Sequence, residues 1–163
     1  MSTTSTTPPA TGARDFDFFL GRWIGRNRRL VKPLSGSNEW IEFEARNECR
    51  PILDGAGQLE EFRADVGGGM VGAAFRLFDP RTNLWSLFWA NARLGMLLPP
   101  TVGRFEGDRG DFFDDEEFEG RPIRVRYRWT GVRTDTPRWE QAFSTDGGET
   151  WETNWTAEFR RAD

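Results

Sequence analysis

Ile123, Val125, Tyr127 and Trp129 alternate with Arg124, Arg126 and Arg128. A side chain that switches between large apolar and charged at every step suits an extended strand with one face buried and the other in water. The same period of two sets Ile41, Phe43, Ala45 and Cys49 against Glu42, Glu44, Arg46 and Glu48, with Asn47 interrupting the inner row. Strands of this kind pair antiparallel, with a core face and a solvated face. A run of them leaves little room for helical layers.

The remaining segments extend the pattern. Residues 58–65 read as a weaker strand whose inner face is undecided, because Leu59 and Phe62 have opposite parity. Gly67, Gly68 and Gly69 make a turn or bulge. Residues 70–78 and 84–91 flank Asp79-Pro80-Arg81-Thr82-Asn83 as a hairpin, with proline where a type I turn accepts it. The second of these strands is apolar on both faces, which asks for a loop, the tail or another subunit over its outside. The stretch Gly95-Met96-Leu97-Leu98-Pro99-Pro100 is too apolar for an ordinary loop and is expected to be a lid at a cavity mouth or a dimer contact. Residues 104–118 predict two short strands around Gly107-Asp108-Arg109-Gly110, with Asp114-Asp115-Glu116-Glu117 as a solvated hairpin tip. Residues 138–144 and 151–160 predict the closing hairpin, where Glu140, Glu152 and Glu158 offset the arginines of residues 124–128.

Eight to ten such strands with aromatic inner rows bury that face most simply by closing on themselves, which also removes exposed edges. The expected fold is therefore all-β, an antiparallel up-and-down closed β-barrel, with a two-sheet sandwich as the alternative. A short helical turn at residues 15–20, carrying Phe16, Phe18, Phe19 and Leu20, is placed to close one end. The 163 residues fit one domain, residues 15–163, after a disordered tail at residues 1–14. Eight Trp and fourteen Phe make the core aromatic rather than aliphatic.

Composition removes several function classes. A net charge of -4 gives no positive field to hold a phosphate backbone, so no nucleic-acid partner is expected. There is no histidine, which removes the commonest metal ligand, the usual acid/base group near neutral pH and every Ser-His or Cys-His nucleophile. No cofactor and no metal are expected. Cys49 stands alone, residues 1–14 hold no apolar run and no segment is long enough to span a bilayer, so the expected setting is cytoplasmic, with no membrane partner.

Residues 20–30 carry the feature that the rest is organised around, Gly21-Arg22-Trp23-Ile24-Gly25. Gly21 and Gly25 are expected to bend the strand while Trp23 plugs the barrel floor. This G-x-W-x-G opening resembles the first strand of the calycin superfamily: lipocalins, fatty-acid-binding proteins, and the nitrobindin-like and lipocalin-like bacterial barrels. The resemblance implies that a basic residue of the last strand, Arg160 or Arg161, packs across the tryptophan. It also implies a lumen that carries a small molecule. The sequence departs from the haem-binding branch, whose iron is held by a histidine; Tyr127 or Cys49 would be the substitutes. A second, local resemblance is to the Asp-box of sialidases, at Ser144-Thr145-Asp146-Gly147-Gly148-Glu149-Thr150-Trp151. It implies a hairpin turn with the aspartate bonding backbone amides and the tryptophan packed beneath, and no catalysis.

Candidate site residues are the polar side chains that interrupt inward apolar rows: Asn27, Asn47, Asn91 and Gln141. A buried amide must find partners, so several facing one lumen form either a network or a site for a ligand with polar handles. Trp85, Trp89, Tyr127, Trp129, Trp139 and Trp155 complete the candidate lining. Three functions follow: binding of a hydrophobic or aromatic small molecule, a filled barrel serving as a structural or partner-binding protein, or a cofactor-free isomerase or cyclase with Glu60 or Tyr127 as acid/base. The double-sided strand and residues 96–100 make a homodimer possible.

Overall fold

The computed structural model describes residues 11–162. Eleven strands run in chain order: β1 (Gly21–Leu30), β2 (Trp40–Ile52), β3 (Gly57–Ala64), β4 (Met70–Asp79), β5 (Leu84–Asn91), β6 (Met96–Leu97), β7 (Thr101–Glu106), β8 (Arg109–Phe118), β9 (Arg121–Thr130), β10 (Arg138–Ser144) and β11 (Glu152–Arg161). Each pairs antiparallel with its sequence neighbour, β5 passes on to β7, and β1 pairs with β11, so ten strands close a barrel. The two residues of β6 hang on the end of β5. No helix of the described residues is long and apolar enough to cross a membrane.

One end of the barrel is floored from within. The 3-10 turn Asp17–Phe19 tucks Phe16 and Phe19 wholly out of solvent. Trp23 stacks on Phe19 with centroids 5.2 Å apart, and its indole N–H donates to the Phe19 carbonyl at 2.8 Å. Arg161 lies 3.8 Å over the Trp23 ring and donates to the Leu20 and Phe18 carbonyls, so the last strand packs across the first-strand tryptophan through Arg161. Gly21 has φ +108, and a Cβ there would come within 2.7 Å of Arg161 Nη1. Gly25 acts differently from expectation. It makes no left-handed bend; its missing Cβ leaves room for the Phe159 ring, which a methyl would approach to 3.0 Å.

The sequence places the end of the tail at Arg14. Residues 1–10 lie outside the described residues, but Gly12–Arg14 form a 3-10 turn. Its Gly12 N–H donates to Asn83 Oδ1 at 2.8 Å, and its carbonyl accepts from Trp85 Nε1 at 3.0 Å. Ordered contacts to the barrel therefore begin before Asp15.

The acidic run is not a hairpin tip. β8 continues through Asp114–Glu117, and the turn falls at Glu119–Gly120, both with positive φ. Pairing of Asp114 with Val125 and of Glu116 with Ile123 puts these two carboxylates on the inward parity beside Tyr127, while Asp115 and Glu117 are exposed. Of the expected partners for the β9 arginines, Glu140 approaches Arg126 at 3.5 Å and Arg128 at 3.9 Å. Glu158 pairs instead with Arg138, and Glu152 accepts the Leu34 N–H at 2.7 Å. Asp111, from β8, is the closer partner of Arg128 at 2.7 Å. The 144–151 loop is built as its motif implies. Asp146 Oδ1 accepts the Thr150 N–H at 2.9 Å and the Trp151 indole donates to the Gly148 carbonyl at 3.0 Å.

Candidate functional site

Above the floor the inner rows stop filling the barrel. Trp139 and Gln141 of β10, Tyr127 and Trp129 of β9, and Trp155 of β11 face Phe62 of β3 and Trp89 of β5 across a cavity. Its volume is about 100 Å³ measured to the centres of water-sized molecules, where a single water needs roughly 10–15 Å³. The space is a chamber, not a packing defect. Its aromatic wall is continuous: Tyr127 meets Trp139 at 5.2 Å, Trp139 meets Trp155 at 5.7 Å, and Phe62 meets Trp155 at 6.3 Å and Trp89 at 5.7 Å, all four edge to face.

At the bottom of the chamber sits a buried ion pair. Arg76, 4% exposed, donates through Nη2 to Glu60 Oε2, and Glu60 is itself 6% exposed. Glu60 Oε1 accepts from Asn47 Nδ2 at 2.5 Å. Arg76 Nη1 reaches Cys49 Sγ at 3.7 Å, Cys49 Sγ lies 3.4 Å from Gln58 Oε1, and Gln58 donates to the Phe16 carbonyl at 2.8 Å. The guanidinium carbon lies 5.0 Å from the Phe16 ring, 5.4 Å from Phe19 and 5.7 Å from Trp129. Arg76 is thus the joint between floor and chamber, cationic over three rings and neutralised by one carboxylate. Burial pushes the Cys49 thiol up to about 11, with the Arg76 charge only partly opposing, so it is a structural thiol rather than a nucleophile.

Higher in the wall, Asn27 donates to the Gly25 carbonyl at 3.1 Å and accepts the Trp155 indole N–H at 2.9 Å. Gln141 donates to Asn154 Oδ1 at 2.8 Å, beside a register shift between Gln141 and Ala142 that turns this part of β10. Burial, then the carboxylates of Glu116 and Asp114, hold the Tyr127 phenol well above its ordinary range, so it stays protonated. Both carboxyls are themselves raised, chiefly by burial. Among the described residues, no group of three or more Cys, Asp and Glu could hold a metal ion.

Eight of the ten residues expected at the site line the chamber: Asn27, Asn47, Trp89, Tyr127, Trp129, Trp139, Gln141 and Trp155. Trp85 and Asn91 do not. Trp85 belongs to the floor, 1% exposed and packed on Phe16 at 5.0 Å and Phe78 at 5.3 Å. Asn91 ends β5, where its side chain accepts the Arg93 N–H at 2.8 Å and its carbonyl the Leu94 N–H at 3.0 Å. Parity places Trp85, Leu87, Trp89 and Asn91 on one face, but it carries no information about height in the barrel. The sequence does not point to Phe62 and Arg76. On β3 the inner row mixes Gln58 and Glu60 with Phe62, and on β4 the outer Val71, Phe75 and Leu77 are more apolar than the inner row that holds Arg76.

No protein-family model and no curated protein sequence matches the chain. Its barrel is similar to that of Rv2717c from M. tuberculosis. The crystal structure of that protein aligns with a TM-score of 0.61 over 94% of this chain and 99% of the other. The two share 13% sequence identity, so the likeness to Rv2717c extends to the fold.

Proposed function

We propose that this barrel, a calycin-like one of the lipocalin-like or nitrobindin-like kind, binds a small hydrophobic or aromatic molecule in its lumen. The observation that carries the reading is the chamber itself. A barrel serving only as scaffold gains from filling its interior, since each lost contact weakens the core. Here eight aromatic residues instead surround a space whose polar side chains are held by one another and by neighbouring residues. Preformed aromatic walls with a few oriented polar groups suit a ligand bound mostly by burial and aligned by hydrogen bonds.

Native mass spectrometry of the protein as isolated from cells, followed by mild denaturation, tests this. A stoichiometric released molecule is expected, with quenching of tryptophan fluorescence when it is added back. Bare protein whose fluorescence responds to no aromatic probe would sink the reading in favour of a structural barrel. In the same reading, Leu94, Met96 and Leu97, each more than half exposed, are the contact of a homodimer. Sedimentation of Leu97→Glu against the parent protein tests that assignment.

A further inference from the structure

Resting on the lumen-binding reading, we propose that the chamber selects an uncharged aromatic molecule carrying an N–H or O–H group, which donates to Asn47 Oδ1. Asn47 is 4% exposed and lines the chamber, yet its Oδ1 accepts no hydrogen bond among the described residues. The amide cannot turn over to relieve this. Its Nδ2 is held by Glu60 Oε1, and a flip would set carbonyl oxygen against carboxylate. Asn47 therefore holds a fixed, unpartnered acceptor in the chamber wall, and a ligand whose donor reaches it removes the penalty of leaving a buried acceptor unmatched.

Charge sets the second half of the class. Glu60 and Arg76 are the charged side chains that line the chamber, opposite in sign and bonded to each other. Both Glu60 oxygens are occupied, by Asn47 and Arg76. A carboxylate ligand would leave a net negative charge in a buried, aromatic space, and a cationic one a net positive charge. Two of the four chamber tryptophans already carry a cation: Arg29 lies 4.7 Å over Trp155 and Arg76 5.7 Å over Trp129. A neutral planar donor satisfies Asn47 without disturbing the pair.

Isothermal titration calorimetry with four probes tests this: indole, benzofuran, indole-2-carboxylate and tetramethylammonium. Benzofuran has the shape of indole and is the more hydrophobic, but it cannot donate. Indole is expected to bind at least ten-fold more tightly than each of the other three. In Asn47→Leu its advantage over benzofuran should vanish while benzofuran binding persists. Should that variant not fold, Asn47→Ala removes the acceptor without adding bulk and gives the same comparison. Ala74→Phe, which fills the chamber, should abolish indole binding. Benzofuran matching indole, or either charged probe binding best, overturns the donor assignment and leaves lumen binding standing. Binding of none of the four, or indole binding that survives Ala74→Phe, overturns both.

Discussion

Replacing Arg76 by methionine tests whether the floor and the chamber are one structure. The substitution keeps the unbranched stem of the side chain and removes the guanidinium and its charge. Glu60, 6% exposed, would then retain a single partner, Asn47, in a site that water hardly reaches. Cys49 would lose its donor and the rings of Phe16, Phe19 and Trp129 their shared cation. Removing one partner of a buried ion pair costs about 3–5 kcal/mol, a large share of the roughly 5–15 kcal/mol by which a domain is stable. At about 2–4 °C per kcal/mol for a chain of this size, Tm should fall by roughly 6–20 °C. Urea unfolding followed by tryptophan fluorescence measures the loss, with the m-value unchanged because the same surface is exposed on unfolding. Cys49 gives an independent readout. At 3% exposure it should resist a thiol reagent in the parent protein and label faster in Arg76→Met. Adding Glu60→Gln removes the stranded charge while leaving an acceptor for Asn47, so the double variant should recover at least half of the loss. A loss below about 1 kcal/mol for Arg76→Met, or a double variant no better than the single one, would refute the claim that a compensated charge pair holds the barrel interior.

Other perturbations test the parts in turn. Phe16→Ala removes a ring with no exposed surface that contacts five others, and should lower the stability measured in urea by about 3–5 kcal/mol. Arg161→Ala takes away the cation over Trp23 and two bonds to backbone carbonyls, a loss of about 1–2 kcal/mol by the same assay. Glu116→Gln should be more stable than the parent at pH 7. Burial and Asp114 raise this carboxyl in the folded state, so its charged form is penalised at neutral pH, and the difference should disappear once both states are protonated near pH 3. Asp146 behaves oppositely. Hydrogen bonds from Thr150 and Ser144 hold its carboxyl well below the usual range, so its contribution is present above the unfolded value of 3.8 and declines as the pH falls further. The gap between parent and Asp146→Ala in acid-unfolding titrations should therefore narrow below about pH 4.

How much of this is legible in the sequence depends on which physical signal each residue carries. The inner rows of β2 and β9 announce themselves because apolarity and at least partial burial coincide at Phe43, Ala45 and Cys49, and at Ile123, Val125, Tyr127 and Trp129; the exceptions are Ile41, exposed at the end of its row, and Arg126, which is buried on the outer row of β9 with its guanidinium over Trp151. The plug at Trp23 and the 144–151 turn are legible because a few local residues determine their geometry. β3 is not, because its inner row is Gln58, Glu60 and Phe62 while Leu59 faces outward. β4 hides Arg76 in the same way, since Val71, Ala73 and Phe75 on the outer row are no less apolar than the inner Gly72 and Ala74.

Neither Glu60 nor Arg76 reveals the other on its own, and only the pairing of β3 with β4 makes them neighbours. Gln58 stands opposite Arg76 and Glu60 opposite Ala74, which sets the two charges on a diagonal of the inner face. A charge at an inward position violates the pattern that reveals a strand, and two opposite charges on one diagonal restore electrical neutrality without restoring that pattern. The face that sequence periodicity could not assign is therefore the one that carries Glu60, the residue that fixes the Asn47 amide. The polar floor of the chamber and the illegible stretch of the sequence have one physical cause, a buried pair that depends on strand register rather than on hydrophobicity.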